Sequence, residues 1–171
     1  MKYIAYVAGP YRADTVEARD ANIAAADAVG RALVTKGYAV FIPHNNTRHW
    51  EEDGRFSHED CIDIDLAILE RCDLLVVVGD YTASAGTRRE IDWARRNGIP
   101  VYLSVDAVPP PEQFRPDVTC RLVQALFERR RAGVSTYGAP LTAGSGIRTL
   151  HAALEEALDL SAYILAEIER G

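Results

Sequence analysis

The sequence predicts an α/β protein with a doubly wound parallel sheet of about four to five strands and a helical hairpin at its C-terminal end. Through residue 105, short apolar runs alternate with segments that have the period of an amphipathic helix. After residue 118, only the helical period remains. Since parallel strands are joined by crossovers that are usually helices, the alternation favours a parallel sheet.

Four apolar runs are predicted as strands. The first run, YIAYVAG, ends in a Gly-Pro pair, as expected for a buried strand that stops at a turn. The run DLLVVVG is the most hydrophobic and is predicted to be a central strand. The four predicted strands span residues 3–9, 38–43, 73–79 and 99–105.

Three segments between these strands are predicted as helices, at 16–36, 58–72 and 86–97. The first places its apolar residues on one face, and Gly37 follows where a helix often ends in a left-handed residue. Gly98 ends the third predicted helix. Strands and helices in this order predict a Rossmann-like, specifically flavodoxin-like, sheet with right-handed crossovers.

The composition divides the chain into three parts. Residues 1–105 are predicted to form the sheet domain, and 106–118 contain four prolines that suggest a semi-rigid linker or an arm wrapping the sheet edge. Residues 119–171 hold two helical patterns, at 119–132 and 147–170. A helical pair this short cannot bury both of its faces alone, so we expect it to pack on the sheet domain or mediate oligomerisation.

Composition and charge exclude several classes of function. Hydrophobic residues make up 48% of the 171 residues, which suffices for a packed core. The net charge of −6 argues against a nucleic-acid partner, and no apolar run is long enough to predict a membrane span. The N-terminal MKYIAYVAGP predicts a strand and not a signal peptide. Three cysteines without paired spacing favour a reducing compartment, so we expect a cytoplasmic protein.

Polar residues and glycines concentrate in the loops that follow the first three predicted strands. Ligands of open parallel sheets bind outside the carboxyl ends of the strands, so these loops are the candidate site. The candidate substrate-binding residues there are Gly9, Arg12, His44, Ser84, Gly86 and Thr87.

Two of these candidates have an alternative interpretation as ordinary surface residues. Arg12 next to a glycine turn suits an anionic ligand such as a phosphate, but it can also be a solvated surface arginine. His44 follows a strand and can orient a substrate or share protons, or it can belong to a solvated loop. Metal ligation by His44 is not expected, because no acid or cysteine stands at a suitable spacing.

Two acids are the candidates for chemistry. Glu90 lies one turn into the third helix, where it can face a ligand or complete a capping box with Thr87 as the N-cap residue. Asp65 stands next to the buried stripe of the preceding helix. Two carboxyl groups near one strand end can divide the roles of nucleophile and proton donor if burial separates their pKa values.

Residues 1–105 contain, in order, the motifs YVAGPYR, IPH, DLAIL before CDLLVVV, SAGTRREID and NGIPVYL. Together these motifs resemble the nucleoside 2-deoxyribosyltransferase-like superfamily, and most closely its nucleoside 5′-monophosphate N-glycosidase branch. The resemblance implies that Glu90 is the nucleophile, that Asp65 assists departure of the base, and that Tyr6 lies beside the nucleophile. It also implies phosphate contacts from Arg12 and Ser84 and a site histidine at His44.

The function that this resemblance implies is hydrolysis of the N-glycosidic bond of a (deoxy)nucleoside 5′-monophosphate, without a cofactor in this domain. Two alternatives stay open, namely base exchange by a nucleoside 2-deoxyribosyltransferase and a non-catalytic module that binds or senses a nucleotide. Members of the superfamily complete each site with a neighbouring subunit, so a homodimer or a larger homo-oligomer is expected.

The C-terminal helices carry acids that allow a second interpretation. The segment from RRRAGVSTYGAPL through LEEALDLSAYI weakly resembles MazG-like and phage nucleotide diphosphohydrolases, which hold Mg²⁺ between acidic helices. The acids that would bind Mg²⁺ are Glu128, Glu155, Glu156 and Asp159. The alternative, which we favour, is a solvated acidic face on a helix that dimerises through its leucines.

Overall fold

The computed structural model describes residues 2–48, 50 and 54–115, with scattered residues between 122 and 167. The chain divides into two compact units, Met1–Arg115 and Pro116–Gly171. In the second unit the described residues are all helical. The first unit, called the sheet unit below, contains every predicted site residue outside the C-terminal acids.

The sheet unit is an α/β fold, as predicted. Its strands are β1 (Ile4–Ala8), β2 (Ala39–Phe41), β3 (Leu74–Val77) and β4 (Val101–Tyr102). All neighbouring strands are parallel, in the order β2-β1-β3-β4. The predicted central position of the third strand is confirmed, because β3 lies between β1 and β4 and all of its residues are buried.

The helices are α1 (Val16–Lys36), α2 (Pro43–Asn46), α3 (His58–Leu69) and α4 (Ala85–Arg96). The limits predicted for α1 are confirmed, and Gly37 ends it with a φ of 108°, in the left-handed region. The predicted strand 38–43 is too long, because Pro43 already begins α2. The predicted strand 99–105 is also too long, since a 3₁₀ helix at Val105–Ala107 follows β4 and is capped by Ser104.

Apolar side chains form one core layer on each face of the sheet, and the side chains of β1 alternate between the two layers. Ala5 and Val7 pack with α1 on one face, whereas Tyr6 and Ala8 pack with α3 and α4 on the other. Successive side chains of a strand alternate between faces, so a strand with both faces covered is apolar throughout. Tyr6 therefore lies on the same side of the sheet as α3 and α4.

The proline-rich segment after β4 packs on the sheet unit as far as Arg115, beyond the predicted boundary at residue 105. Val108 and Phe114 are only 1% and 2% exposed and belong to the core on the α1 face. The Tyr38 hydroxyl donates a hydrogen bond to the Pro109 carbonyl over 2.8 Å. The interpretation of 106–118 as a linker or as an arm at the sheet edge stays a prediction, and 116–118 lie outside the described residues.

Gly9 marks a close approach between the ends of β1 and β3. A Cβ atom at this position would lie 2.3 Å from Val78 Cγ1 and 3.0 Å from the Val78 carbonyl oxygen. We expect Gly9→Ala to lower the free energy of unfolding by about 1–3 kcal/mol, because overpacking forces neighbouring atoms to shift. Denaturant unfolding followed by the fluorescence of Trp50 and Trp93, which both lie in the sheet unit, measures the loss.

Val78→Ala provides the control for this steric explanation. It removes the Cγ1 contact and leaves the carbonyl contact, so the double variant is expected to lose less stability than the sum of the two single variants. Additive losses would contradict the proposed clash.

Candidate active site

A pocket of about 390 Å³ opens at the carboxyl ends of β1 and β3. The chain leaves β1 toward β2 on one side and leaves β3 toward β4 on the other, so the pocket lies where the strand order changes direction. Clefts of open α/β sheets form at such switch points. The pocket is lined by Gly9, Pro10, Tyr11, Arg12, Pro43, His44, Thr47, His58, Cys61, Ile62, Asp65, Asp80, Ala83, Ser84, Ala85, Gly86, Thr87 and Glu90.

Glu90 reaches this pocket from α4 and does not cap the helix. Ser84 is the N-cap residue, since its side chain accepts a hydrogen bond from the Thr87 backbone N–H. The interpretation of Thr87 and Glu90 as a capping box is therefore wrong, because α4 begins earlier than predicted and Glu90 falls in its second turn. A capping box is present instead at the start of α3, between Ser57 and Asp60.

The buried carboxyl of Glu90 is held by Tyr6. The Tyr6 hydroxyl donates a hydrogen bond of 2.5 Å to Glu90 Oε1, and Glu90 is only 4% exposed. Burial raises the pKa of Glu90 to about 8; the hydrogen bond from Tyr6 acts in the opposite direction, and nearby Asp65 raises the pKa further. Burial therefore disfavours the ionised form of Glu90 overall, and the hydrogen bond from Tyr6 offsets only part of that effect.

Asp65 lies on α3 and faces the same pocket. It is 6% exposed, and its Oδ1 atom has no hydrogen-bond partner among the described residues. Burial raises the pKa of Asp65 to about 7. A carboxyl group in this state holds a proton near neutral pH that it can give to a ligand.

These pKa shifts predict that Glu90→Gln becomes increasingly stabilising, relative to the parent protein, as the pH rises. The folded-state pKa of Glu90 is about 8, whereas an ordinary glutamate titrates near 4.5. Between these values the folded state binds more protons than the unfolded state, so the parent loses stability with rising pH. The loss is complete above about pH 8, and its slope is at most about 1.4 kcal/mol per pH unit.

Denaturant unfolding of both proteins at several pH values between about 4 and 9 checks this expectation. Since glutamine carries no titrating proton, the difference in stability between variant and parent isolates the contribution of Glu90. A difference that stays constant over this range would contradict the raised pKa of Glu90.

His44 joins the first two loops of the pocket. Its Nε2 atom lies 3.0 Å from the Pro10 carbonyl oxygen and therefore donates to it, and its ring packs edge-on against Tyr11. The Nδ1 atom is buried and has no hydrogen-bond partner in the described part of the chain. Burial lowers the pKa of His44, so the neutral ring presents an acceptor at Nδ1.

The first turn of α4 forms the polar end of the pocket. The N–H groups of Ala85 and Gly86 have no acceptors within the helix, as at every helix start. The hydroxyls of Ser84 and Thr87 lie 2.8 Å apart beside them. Such a helix start favours anions, and the exposed Arg12 lines the same pocket.

The structure brings together all the residues that the sequence predicted for the site in the sheet unit. Tyr6 donates a hydrogen bond to Glu90, and the other eight predicted residues line the pocket. Their catalytic and binding roles stay predictions. The four acids predicted for Mg²⁺, namely Glu128, Glu155, Glu156 and Asp159, lie outside the described residues.

Sequence reasoning missed several residues that line the pocket, including His58, Cys61 and Asp80. His58 and Cys61 precede Asp65 on α3 by seven and four positions, which places them on one helix face. The helical period could therefore have identified them once Asp65 was chosen. Asp80 stands in the loop directly after β3, so its position at a strand end could have identified it.

No helix in the described part of the chain is long and apolar enough to cross a membrane. A family model described as Domain of unknown function (DUF7768) matches residues 3–104, which include every candidate site residue of the sheet unit. A solved structure of the 2-deoxyribosyltransferase from the psychrotolerant bacterium Bacillus psychrosaccharolyticus is similar at 24% identity and a TM-score of 0.43. That similarity covers 57% of this chain and 69% of the other. No curated protein matches the chain significantly.

Proposed function

The chain belongs to the family described as Domain of unknown function (DUF7768), and we propose that it hydrolyses the N-glycosidic bond of a (deoxy)nucleoside 5′-monophosphate. The products are the free base and (deoxy)ribose 5-phosphate. The observation that carries this proposal is the pair of buried carboxyl groups, Glu90 and Asp65, in one pocket, with Tyr6 hydrogen-bonded to Glu90.

Glu90 supplies the nucleophile in this proposal. Its carboxylate oxygen bonds to the anomeric carbon while the bond from that carbon to the base nitrogen breaks, and Asp65 gives its proton to the departing base. Water then attacks the anomeric carbon, its proton passes to the Asp65 carboxylate, and the ester bond to Glu90 breaks. The cycle returns both acids to their starting states.

The surroundings of the two acids favour this division of roles. Glu90 receives a hydrogen bond from Tyr6, which stabilises its ionised form, whereas Asp65 has no described donor to stabilise its carboxylate. Burial raises the pKa of Glu90 to about 8 and that of Asp65 to about 7, so without a bound substrate near neutral pH the proton rests on Glu90, and it has to leave Glu90 before that carboxylate can attack. Positive charge that develops on the sugar further favours ionised Glu90.

The polar end of the pocket supports a substrate with a 5′-phosphate. The Ala85 and Gly86 N–H groups and the Ser84 hydroxyl can donate to phosphate oxygens at the start of α4. Arg12 adds a guanidinium group at the same pocket. Ser84 precedes Glu90 by six residues on one element, so a phosphate and a sugar carbon can be held at once.

Incubation with a panel of ribonucleoside and deoxyribonucleoside monophosphates, and with the corresponding nucleosides, tests the proposal. Chromatography is expected to show free base released from at least one monophosphate and faster than from its nucleoside. A second base added to the reaction distinguishes base exchange, which yields a new nucleoside or nucleotide, from hydrolysis. Absence of free base and of exchange with every substrate would overturn the proposed activity.

A further inference from the structure

His58 forms a wall of the pocket between the first turns of two helices. It is the first residue of α3, it is half-buried, and it lines the pocket. Its ring atoms Cε1 and Nε2 each lie 3.9 Å from the position that a Cβ atom would take at Gly86. These atoms form the far edge of the imidazole, so the ring is directed at the first turn of α4.

Gly86 makes this approach of α3 to α4 possible. A Cβ atom there would lie 3.2 Å from Ile62 Cδ1, which is tighter than an ordinary van der Waals contact. Because Gly86 has no side chain, the edge of the His58 ring lies beside the backbone of the turn whose N–H groups lack helical acceptors. An anion held by this turn would have Nε2 of His58 as a neighbour.

Two buried side-chain atoms show independently that this pocket is built for a polar ligand. Asp65 Oδ1 and His44 Nδ1 have no hydrogen-bond partner within the described chain, and their residues are 6% and 4% exposed. Buried polar atoms are almost always paired in folded proteins. Both residues line the pocket that also contains His58 and Gly86, so a bound ligand can supply the missing partners.

We propose that His58 determines specificity for the phosphorylated substrate by donating a hydrogen bond from Nε2 to its phosphate group. This inference rests on the proposed function for the identity of the substrate. Arg12 is the arginine of the pocket lining, and Asp65, Asp80 and Glu90 are its acids. Because acids outnumber Arg12 there, recognition of an anion depends on directed donors such as the α4 N–H groups and His58.

His58→Ala tests the proposal when its KM and kcat are compared for the nucleoside monophosphate and for the unphosphorylated nucleoside. We expect KM for the nucleoside monophosphate to rise about tenfold to a hundredfold, the range for losing one hydrogen bond to a charged group. The kcat for the monophosphate and both constants for the unphosphorylated nucleoside are expected to stay near parental values. His58→Gln, whose amide N–H can replace Nε2, is expected to recover much of the affinity.

Arg89→Gln is the matched control, because it weakens the contact between α3 and α4 without altering the pocket lining. Arg89 forms ion pairs with Glu59 and Asp63 on α3. The Arg89→Gln variant is expected to keep the parental preference for the phosphorylated substrate. Equal losses for the monophosphate and the nucleoside in His58→Ala, or the same change of preference in Arg89→Gln, would overturn the role of His58.

Binding of inorganic sulfate separates this inference from the proposed activity. Sulfate is expected to raise the Tm of the parent protein and of Arg89→Gln, and to raise the Tm of His58→Ala much less. If no substrate is cleaved but this pattern holds, the proposed activity fails and the anion contact of His58 stands. If sulfate stabilises the parent and His58→Ala equally, or stabilises neither, His58 is not an anion contact.

Discussion

Replacing Glu90 by glutamine is expected to lower kcat for nucleoside monophosphate hydrolysis by on the order of 10⁴-fold or more, the scale seen when a nucleophile is removed. Glutamine has nearly the shape of glutamate and keeps a carbonyl oxygen that can accept the hydrogen bond from Tyr6. Substrate binding should therefore persist while formation of the bond to the anomeric carbon is lost. Single-turnover release of free base, together with calorimetric binding of the monophosphate, measures the two separately.

Glu59→Gln is the control for Glu90→Gln. Glu59 is an exposed glutamate on α3 that pairs with Arg89 and does not line the pocket. The control is expected to turn over within a few-fold of the parent, since exposed ion pairs contribute little to stability. Parental turnover by a purified Glu90→Gln protein would show that Glu90 is not the nucleophile.

Replacing Asp65 by asparagine is expected to lower kcat for natural nucleotides by about 10²- to 10⁴-fold, the usual contribution of a general acid. The effect arises because a purine or pyrimidine leaves poorly as an anion, and asparagine has no proton of suitable pKa to give. A sugar phosphate that carries 4-nitrophenolate as its leaving group needs no protonation, so its cleavage should be far less affected. The ratio of the two losses, measured by chromatography and by absorbance, identifies the role of Asp65.

Asp63→Asn is the matched control for this experiment. Asp63 lies two positions from Asp65 on α3 but is exposed and pairs with Arg89, outside the pocket lining. It is expected to leave both rates near parental values. If Asp65→Asn slowed both substrates equally, Asp65 would position the sugar and would not act as the acid.

Much of the fold follows from local periodicity. The limits of α1 are predicted correctly, because its apolar spacing and Gly37 are both encoded within one segment. The predicted strands 38–43 and 99–105 are too long, because the residues that end these strands do not interrupt the apolar run. Pro43 and Ser104 start new helical turns that an apolar period does not reveal.

The sequence by itself determined that polar groups gather at the carboxyl ends of β1, β2 and β3, since strand ends and glycine turns are local features. The sequence did not decide whether Glu90 caps a helix or lies in a buried site. Only the tertiary structure decided this point, by placing Tyr6 and Glu90, 84 positions apart in the chain, in one hydrogen bond. The face to which Tyr6 points depends on the packing of α3 and α4, and burial by that packing raises the pKa of Glu90 and Asp65.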